Sequence, residues 1–255
     1  MSPWSFPSWI AHRGAGKLAP ENTLAAFRLG ASHGYRAFEC DVKLSSDGVP
    51  FLLHDATLER TTSGRGTAGE LTWNELSRLD AGHWHSRAYA GEPLPTLAAV
   101  AAFIMRNGYS LDLEIKPTPG TELATGSAVA AACRTLWKGA SAPPPLFSSF
   151  RPESLQGARE AAPEFERALL LDTLWQGWFD IARALECVAV ITQHKLMDAA
   201  LLAQLHGAGM RALCYTVNDA AEARRLLGLE GGGIDGLVTD AVDRFSPGAS
   251  RIVLD

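Results

Sequence analysis

The chain's architecture can be worked out from Phe38-Glu39-Cys40-Asp41-Val42 and, shortly after it, Phe51-Leu52-Leu53-His54-Asp55. Each is a short apolar strand ending in groups that an apolar strand avoids. Side chains alternate faces in an extended chain, so Glu39 and Asp41 point one way while Phe38, Cys40 and Val42 point the other. Two carboxylates close together on one face repel each other and lose hydration. A positive charge belongs between them, and a divalent cation with oxygen ligands is the natural candidate. His54 arrives from the next extended segment at the same end of the structure.

Outward from this stretch the chain alternates strand and helix. Before it, Ser8-Trp9-Ile10-Ala11-His12 is a strand broken by Arg13-Gly14-Ala15-Gly16, and Pro20-Glu21-Asn22-Thr23 opens a helix carrying Leu24, Phe27, Leu29 and Ala31. Asp47-Gly48 is a tight turn between the two acidic-stretch strands. From 55 to 93 the pattern lapses into Thr, Ser, Gly, Trp and His, with one brief helical stretch over 73–79. A connection that long inside a compact domain is a functional loop or a small insertion. Alternation then resumes, with helices expected over 97–106, 123–137, 152–162, 175–185, 197–206 and 220–227. The acidic strand and its neighbour count as one position. Strands then centre on Ile10, Phe38, Leu111, Phe147, Leu169, Val190, Leu213 and Leu237. Alternating units imply a parallel sheet. Eight of them in 255 residues imply a single α/β domain over 1–255, a (β/α)8 TIM barrel with a small insertion or lid after the second strand.

Bulk properties narrow the function. A net charge of -5 lacks the basic face of a nucleic-acid binder. No apolar run is long enough to span a bilayer, and the opening Met1–Pro7 has neither a basic nor an apolar export region. Cys40, Cys133, Cys187 and Cys214 stand singly in apolar segments, with no C-x-x-C pair, and are expected as buried reduced thiols. These features point to a cytoplasmic protein and carry no reading of oligomeric state. A small-molecule partner follows only from the site chemistry and the family resemblance.

Polar residues gather where strands end: His12, Glu39, Asp41, Glu114, Lys116, Ser148, Gln193, Thr216, Asn218 and Asp240. That is the face on which barrel enzymes assemble their sites. On the third barrel strand Asp112, Glu114 and Lys116 share one face, with Leu111, Leu113 and Ile115 on the other. Ser148, Gln193 and Asp240 read as ordinary loop residues satisfying nearby backbone groups. Glu39, Asp41 and Glu114 do not, because three acids among apolar strand neighbours need a counter-charge. Oxygen ligands without a cysteine or histidine cluster favour one Mg2+ or Ca2+ over zinc, and do not separate the first two. A cation flanked by Arg13 and Lys116 suits a bound phosphate. His12 and His54 can divide the proton work, one activating the attacking oxygen and one protonating the leaving alkoxide. That is phosphate-ester hydrolysis.

The chain also resembles a known family. His12-Arg13-Gly14, Pro20-Glu21-Asn22-Thr23, Glu39-Cys40-Asp41-Val42, Asp47-Gly48, His54-Asp55 with Leu58, Arg60-Thr61-Thr62, Gly64 and Gly66, and Glu114-Ile115-Lys116 are similar to the motifs of the glycerophosphodiester phosphodiesterases. The likeness continues through Tyr215-Thr216-Val217-Asn218 and Thr239-Asp240-Ala241, and looks closest to the short cytosolic bacterial form associated with glycerol-3-phosphate uptake. The resemblance implies a (β/α)8 barrel with an insertion at 55–93. It implies metal binding by Glu39, Asp41 and Glu114, acid-base catalysis by His12 and His54, and phosphate binding by Arg13 and Lys116. The substrates it implies are glycerophosphodiesters such as glycerophosphocholine and glycerophosphoethanolamine. Two departures are peripheral: Tyr215 stands where many members carry Trp, and Gly231-Gly232-Gly233 lengthens a late loop expected on the non-catalytic face.

Other signals carry less. Gly64-Arg65-Gly66-Thr67-Ala68-Gly69 matches G-x-G-x-x-G but lacks the preceding strand and following long helix of a dinucleotide site. His83-Trp84-His85 lies in the insertion without a partner acid, and the tryptophans are expected mostly in core or helix packing. No G-x-S-x-G elbow is present. Two alternatives stand beside the hydrolase: a phospholipase-type barrel acting on intact lipid, and a non-catalytic barrel that binds glycerophosphoryl ligands.

Overall fold

A computed structural model describes residues 6–245 and Pro247. The expectation about an export signal therefore lies, over 1–5, outside the described residues. Among the described residues nine strands form one sheet: β1 Trp9–Ala11, β2 Ala37–Leu44, β3 Pro50–Leu52, β4 Ser110–Ile115, β5 Leu146–Ser149, β6 Arg167–Leu171, β7 Ala189–Gln193, β8 Arg211–Tyr215 and β9 Gly236–Thr239. Neighbours run β1-β9-β8-β7-β6-β5-β4-β2, and β1 pairs β2 to close the ring. All eight of these are parallel, while β3 turns back antiparallel on β2 through the Asp47-Gly48 turn. The eight-position (β/α)8 barrel expected from the sequence is the observed one.

The helices are α1 Leu24–Ser32, α2 Trp73–Leu76, α3 Leu97–Asn107, α4 Glu122–Leu136, α5 Pro152–Ala161, α6 Trp178–Ala184, α7 Ala199–Gly207 and α8 Ala220–Leu227. Among the described residues no helix is long and apolar enough to cross a membrane. Three helices begin later than the apolar period suggests, α7 among them, which Asp198 caps so that it starts at Ala199. The turn 20–23 precedes α1: Asn22 is left-handed (φ 58), and Thr23 caps the helix by accepting from Ala26 N–H. Gly177 (φ 89) likewise delays α6 to Trp178.

Strand alternation sorts the core into two layers. Ile10, Ala37, Leu146, Ala168, Leu170, Ala189, Ile191, Leu213 and Val238 pack together inside the barrel. Phe38, Leu111, Leu113, Phe147 and Val190 face outward and join helix residues such as Phe27, Val100, Ile104, Val129 and Leu202. The insertion has a small core of its own, in which Leu58, Ala68, Leu76 and Ala81 pack on Phe51, Leu53 and Leu94. This packing stabilises an otherwise irregular segment by removing apolar surface from water. Gly231-Gly232-Gly233 lies in the α8–β9 connection, on the face opposite the strand ends.

Candidate active site

Register brings the acids together. In the β2–β4 pairing Glu39 lies beside Asp112 and Asp41 beside Glu114, so the inward side chains of both strands stack at the carboxyl end. Glu39, Asp41 and Glu114 are all buried, and one oxygen from each lies within 4.8 Å of the others. Glu39 Oε1 and Asp41 Oδ1 are buried without a hydrogen-bond donor. A buried acceptor left unsatisfied is costly, and an oxygen-liganded divalent cation would satisfy these atoms. The residues present fit such a group.

Burial pushes Glu39 well above the usual carboxylate range, and repulsion from Asp41 and Glu114 adds to it. Burial and Asp41 push Glu114 up to about 8. Asp41 goes the other way: burial opposes its charge, but Arg13, Lys116 and His54 outweigh it and hold it below the ordinary range. Asn22 contributes from a two-way clamp, donating to Asp41 Oδ2 at 2.8 Å and accepting Asp41 N–H at 3.0 Å. Neighbouring Asp112 rises to about 7 through burial and accepts the Ser148 hydroxyl at 2.6 Å.

Basic groups rim the acids. Lys116 Nζ lies 2.8 Å from Glu114 Oε1 and 3.7 Å from Asp41 Oδ1. Arg13 Nε lies 3.4 Å from Asp41 Oδ2, and the Arg13 backbone N–H donates to Glu39 Oε2 at 2.9 Å. Arg13 sits in a tight turn after β1 with a left-handed backbone (φ 50). Gly16 (φ +58) lets that turn lie on the end of β9, since a Cβ there would stand 2.1 Å from the Asp240 carbonyl oxygen.

The two histidines are held differently. His12 Nδ1 meets Asp240 Oδ1 at 2.6 Å, which leaves Nε2 turned to the acids, 3.7 Å from Glu39 Oε2. Asp240 is itself fixed by Asn218, which donates to its Oδ2 at 2.9 Å and accepts its N–H at 2.8 Å. His54 Nδ1 meets Asp55 Oδ1 at 2.6 Å. Burial, then Arg13 and Lys116, lower the His54 pKa against the pull of Asp41. His12, Arg13, Glu39, His54 and Lys116 line one cavity of about 170 Å³, which shares Glu114, Lys116, Phe150 and Leu170 with a wider groove of about 510 Å³.

All seven site residues expected from the sequence therefore converge on one mouth of the barrel. Asp240 is a correction: its carboxylate holds the His12 ring and accepts from the Asn218 amide rather than from loop backbone, and no local signal in Thr239-Asp240-Ala241 reports a partner at the other end of the chain. Ser148 likewise bonds a side chain, whereas Gln193 does cap local backbone by accepting Lys195 N–H. Trp175 packs on the outer core as expected and also lines the wider groove, and Tyr215 lines the smaller cavity with its hydroxyl donated to Leu171 O. His85 Nε2 meets the Lys17 carbonyl while its ring packs edge-on against Trp84 and Tyr89, and segment 64–69 leads into a three-residue turn, as expected of neither a metal pair nor a nucleotide loop.

Residues 12–244 match the profile of the Glycerophosphoryl diester phosphodiesterase family. A glycerophosphodiester phosphodiesterase of Caldanaerobacter subterraneus subsp. tengcongensis is 30% identical over 236 residues, 91% of this chain and 93% of that protein. Among solved structures, an Oleispira antarctica phosphodiesterase in complex with the product sn-glycerol-3-phosphate superposes with a TM-score of 0.85 at 34% identity, covering 92% and 94% of the two chains. A glycerophosphodiester phosphodiesterase from Agrobacterium tumefaciens superposes at 0.78 with 29% identity, covering 93% and 98%.

Proposed function

The chain belongs to the glycerophosphoryl diester phosphodiesterase family and is a phosphoric diester hydrolase, and from that premise we propose that it cleaves small glycerophosphodiesters to sn-glycerol 3-phosphate and an alcohol in a reaction that needs a divalent cation. Glycerophosphocholine and glycerophosphoethanolamine represent the substrate class. The single observation that carries the metal requirement is the buried trio Glu39, Asp41 and Glu114 with two oxygens lacking donors. Held by these three carboxylates, Mg2+ or Ca2+ would act as a Lewis acid on the phosphate. The product complex of the Oleispira antarctica phosphodiesterase supports the glycerophosphoryl half of the substrate.

The chain's own residues supply the rest. Arg13 and Lys116 flank the acids, where they bind the phosphate and stabilise charge that grows in the transition state. His54, with its lowered pKa, starts neutral and takes a proton from the attacking oxygen at Nε2, since Nδ1 is occupied by Asp55. His12, with Nδ1 on Asp240, presents Nε2 to give a proton to the leaving alkoxide. The four free, buried cysteines support a reducing, cytoplasmic setting.

The test is chelated enzyme offered a panel of glycerophosphodiesters, with metals added back one at a time. Hydrolysis restored by Mg2+ or Ca2+ supports the reading, and full activity in chelator overturns the metal requirement. Higher turnover of phosphatidylcholine vesicles than of glycerophosphocholine would replace the substrate class with intact lipid. Reaction in oxygen-18 water, with a search for a cyclic phosphate, separates attack by water from attack by the neighbouring glycerol hydroxyl.

A further inference from the structure

Arg60 belongs to the insertion and stands outside the acid cluster, with its side chain 45% exposed. Its guanidinium nevertheless makes four hydrogen bonds to two carboxylates. Nε donates to Asp55 Oδ2 at 2.6 Å and Nη2 to Asp55 Oδ1 at 3.0 Å. Nη1 donates to Glu21 Oε2 at 2.8 Å and Nη2 to Glu21 Oε1 at 2.8 Å. Each carboxylate also holds a residue of the site: Asp55 Oδ1 holds His54 Nδ1 at 2.6 Å, and Glu21 Oε1 accepts from Arg13 Nη1 at 2.8 Å.

We propose that Arg60 is a positioning residue for the hydrolysis, clamping Asp55 and Glu21 together so that His54 and Arg13 are set in one fixed relation. This rests on the reading of those two residues as groups that act on the phosphodiester. His54 comes from the end of the antiparallel β3 excursion and Arg13 from the turn after β1. In the described structure Arg60 spans both anchoring carboxylates. Its planar fork offers five donors and serves two carboxylates at once, which an ammonium with three donors on a flexible stem does not reproduce. Without the guanidinium, Asp55 and Glu21 face each other as like charges, and each relaxes away with the residue it holds. Misplacement of about 1 Å at a reacting group is enough to cost roughly 100-fold in rate. The insertion itself keeps its separate apolar core of Leu58, Ala68, Leu76 and Ala81, so the clamp can be broken without removing what folds the segment.

The test compares wild type, Arg60→Ala, Arg60→Lys and the control Arg65→Ala, an exposed arginine of the same insertion. Three quantities are read: steady-state hydrolysis of glycerophosphocholine with the activating metal, the thermal midpoint, and hydrogen exchange of peptides covering 53–62. We expect both Arg60 variants to lose roughly 10- to 100-fold in kcat while their midpoints stay within a few degrees of wild type. Exchange over 53–62 should rise in both. Guanidinium chloride at sub-denaturing concentration should recover part of the loss in Arg60→Ala, whose cavity is open to solvent, and none in Arg60→Lys. Arg65→Ala should match wild type throughout. Wild-type kcat in folded Arg60→Lys, or no recovery of folded Arg60→Ala by guanidinium, overturns the clamp. Should Arg60→Ala fail to fold, Arg60→Lys decides. A wild-type protein inactive on every glycerophosphodiester would sink the substrate reading alone, because exchange over 53–62 tests the clamp without turnover: a rise in the Arg60 variants supports it, and no change overturns it.

Discussion

His12 and Asp240, 228 residues apart in the chain, meet in a 2.6 Å hydrogen bond between Nδ1 and Oδ1. Barrel closure makes this possible, since β1 and β9 are adjacent parallel strands with Ala11 beside Thr239. The bond fixes the imidazole's tautomer and aims Nε2 at the acid cluster.

Asp240→Asn should therefore lower kcat by roughly 10- to 1,000-fold, because an amide facing Nδ1 no longer enforces the productive tautomer or stabilises the imidazolium. Asp240 is no part of the acid trio, so titration calorimetry should find metal affinity nearly unchanged. A parallel loss of affinity and turnover would assign Asp240 to the metal site.

His54→Ala and Glu39→Ala should separate under metal titration. The first should lower turnover by roughly two to four orders of magnitude with metal binding nearly intact. The second should weaken metal affinity and recover in part at high metal concentration. Identical responses to added metal would remove the division of roles.

The metal-free protein should lose stability as pH rises from about 5 to about 8, as followed by thermal midpoints in chelator. Glu114 is raised from 4.5 to about 8 and Glu39 is raised well above 4.5, so in this window the native state binds more protons than the unfolded chain. Their contribution is fully present below about 4.5 and is lost as pH climbs through the folded values. Asp112, raised to about 7, adds to the fall; His54, lowered from 6.5, opposes it in the lower part of the window, and Asp41, held low, also has the opposite sign but changes below the window. Added Mg2+ or Ca2+ should stabilise most at the alkaline end, where the ligands are ionised. Glu114→Gln should flatten the slope in chelator, and an unchanged slope would remove Glu114 as its source.

Gly16→Ala should destabilise by about 1–3 kcal/mol and lower the thermal midpoint by several degrees. The new Cβ meets the Asp240 backbone, which cannot swing aside as a flexible side chain would. It should also lower kcat by disturbing the His12–Asp240 contact. A midpoint unchanged from wild type would mean that the turn after β1 is looser than its packing on β9 implies.

Much of this protein was legible along the chain because strand alternation and helix periodicity are local. Leu111, Leu113 and Ile115 against Asp112 and Glu114 declare which side of β4 is apolar before any partner strand is known. The strand ends likewise announced His12, Glu39, Asp41, His54 and Glu114. Tertiary structure decided what those residues meet. The β2–β4 register put Asp41 directly beside Glu114, and closure of the ring put Asp240 on His12. Folding of the insertion put Arg60 across Asp55 and Glu21. The period of a strand is written in neighbouring residues, whereas these contacts, the local Arg60–Asp55 pair apart, arise between segments far apart in sequence and exist only once the chain has folded.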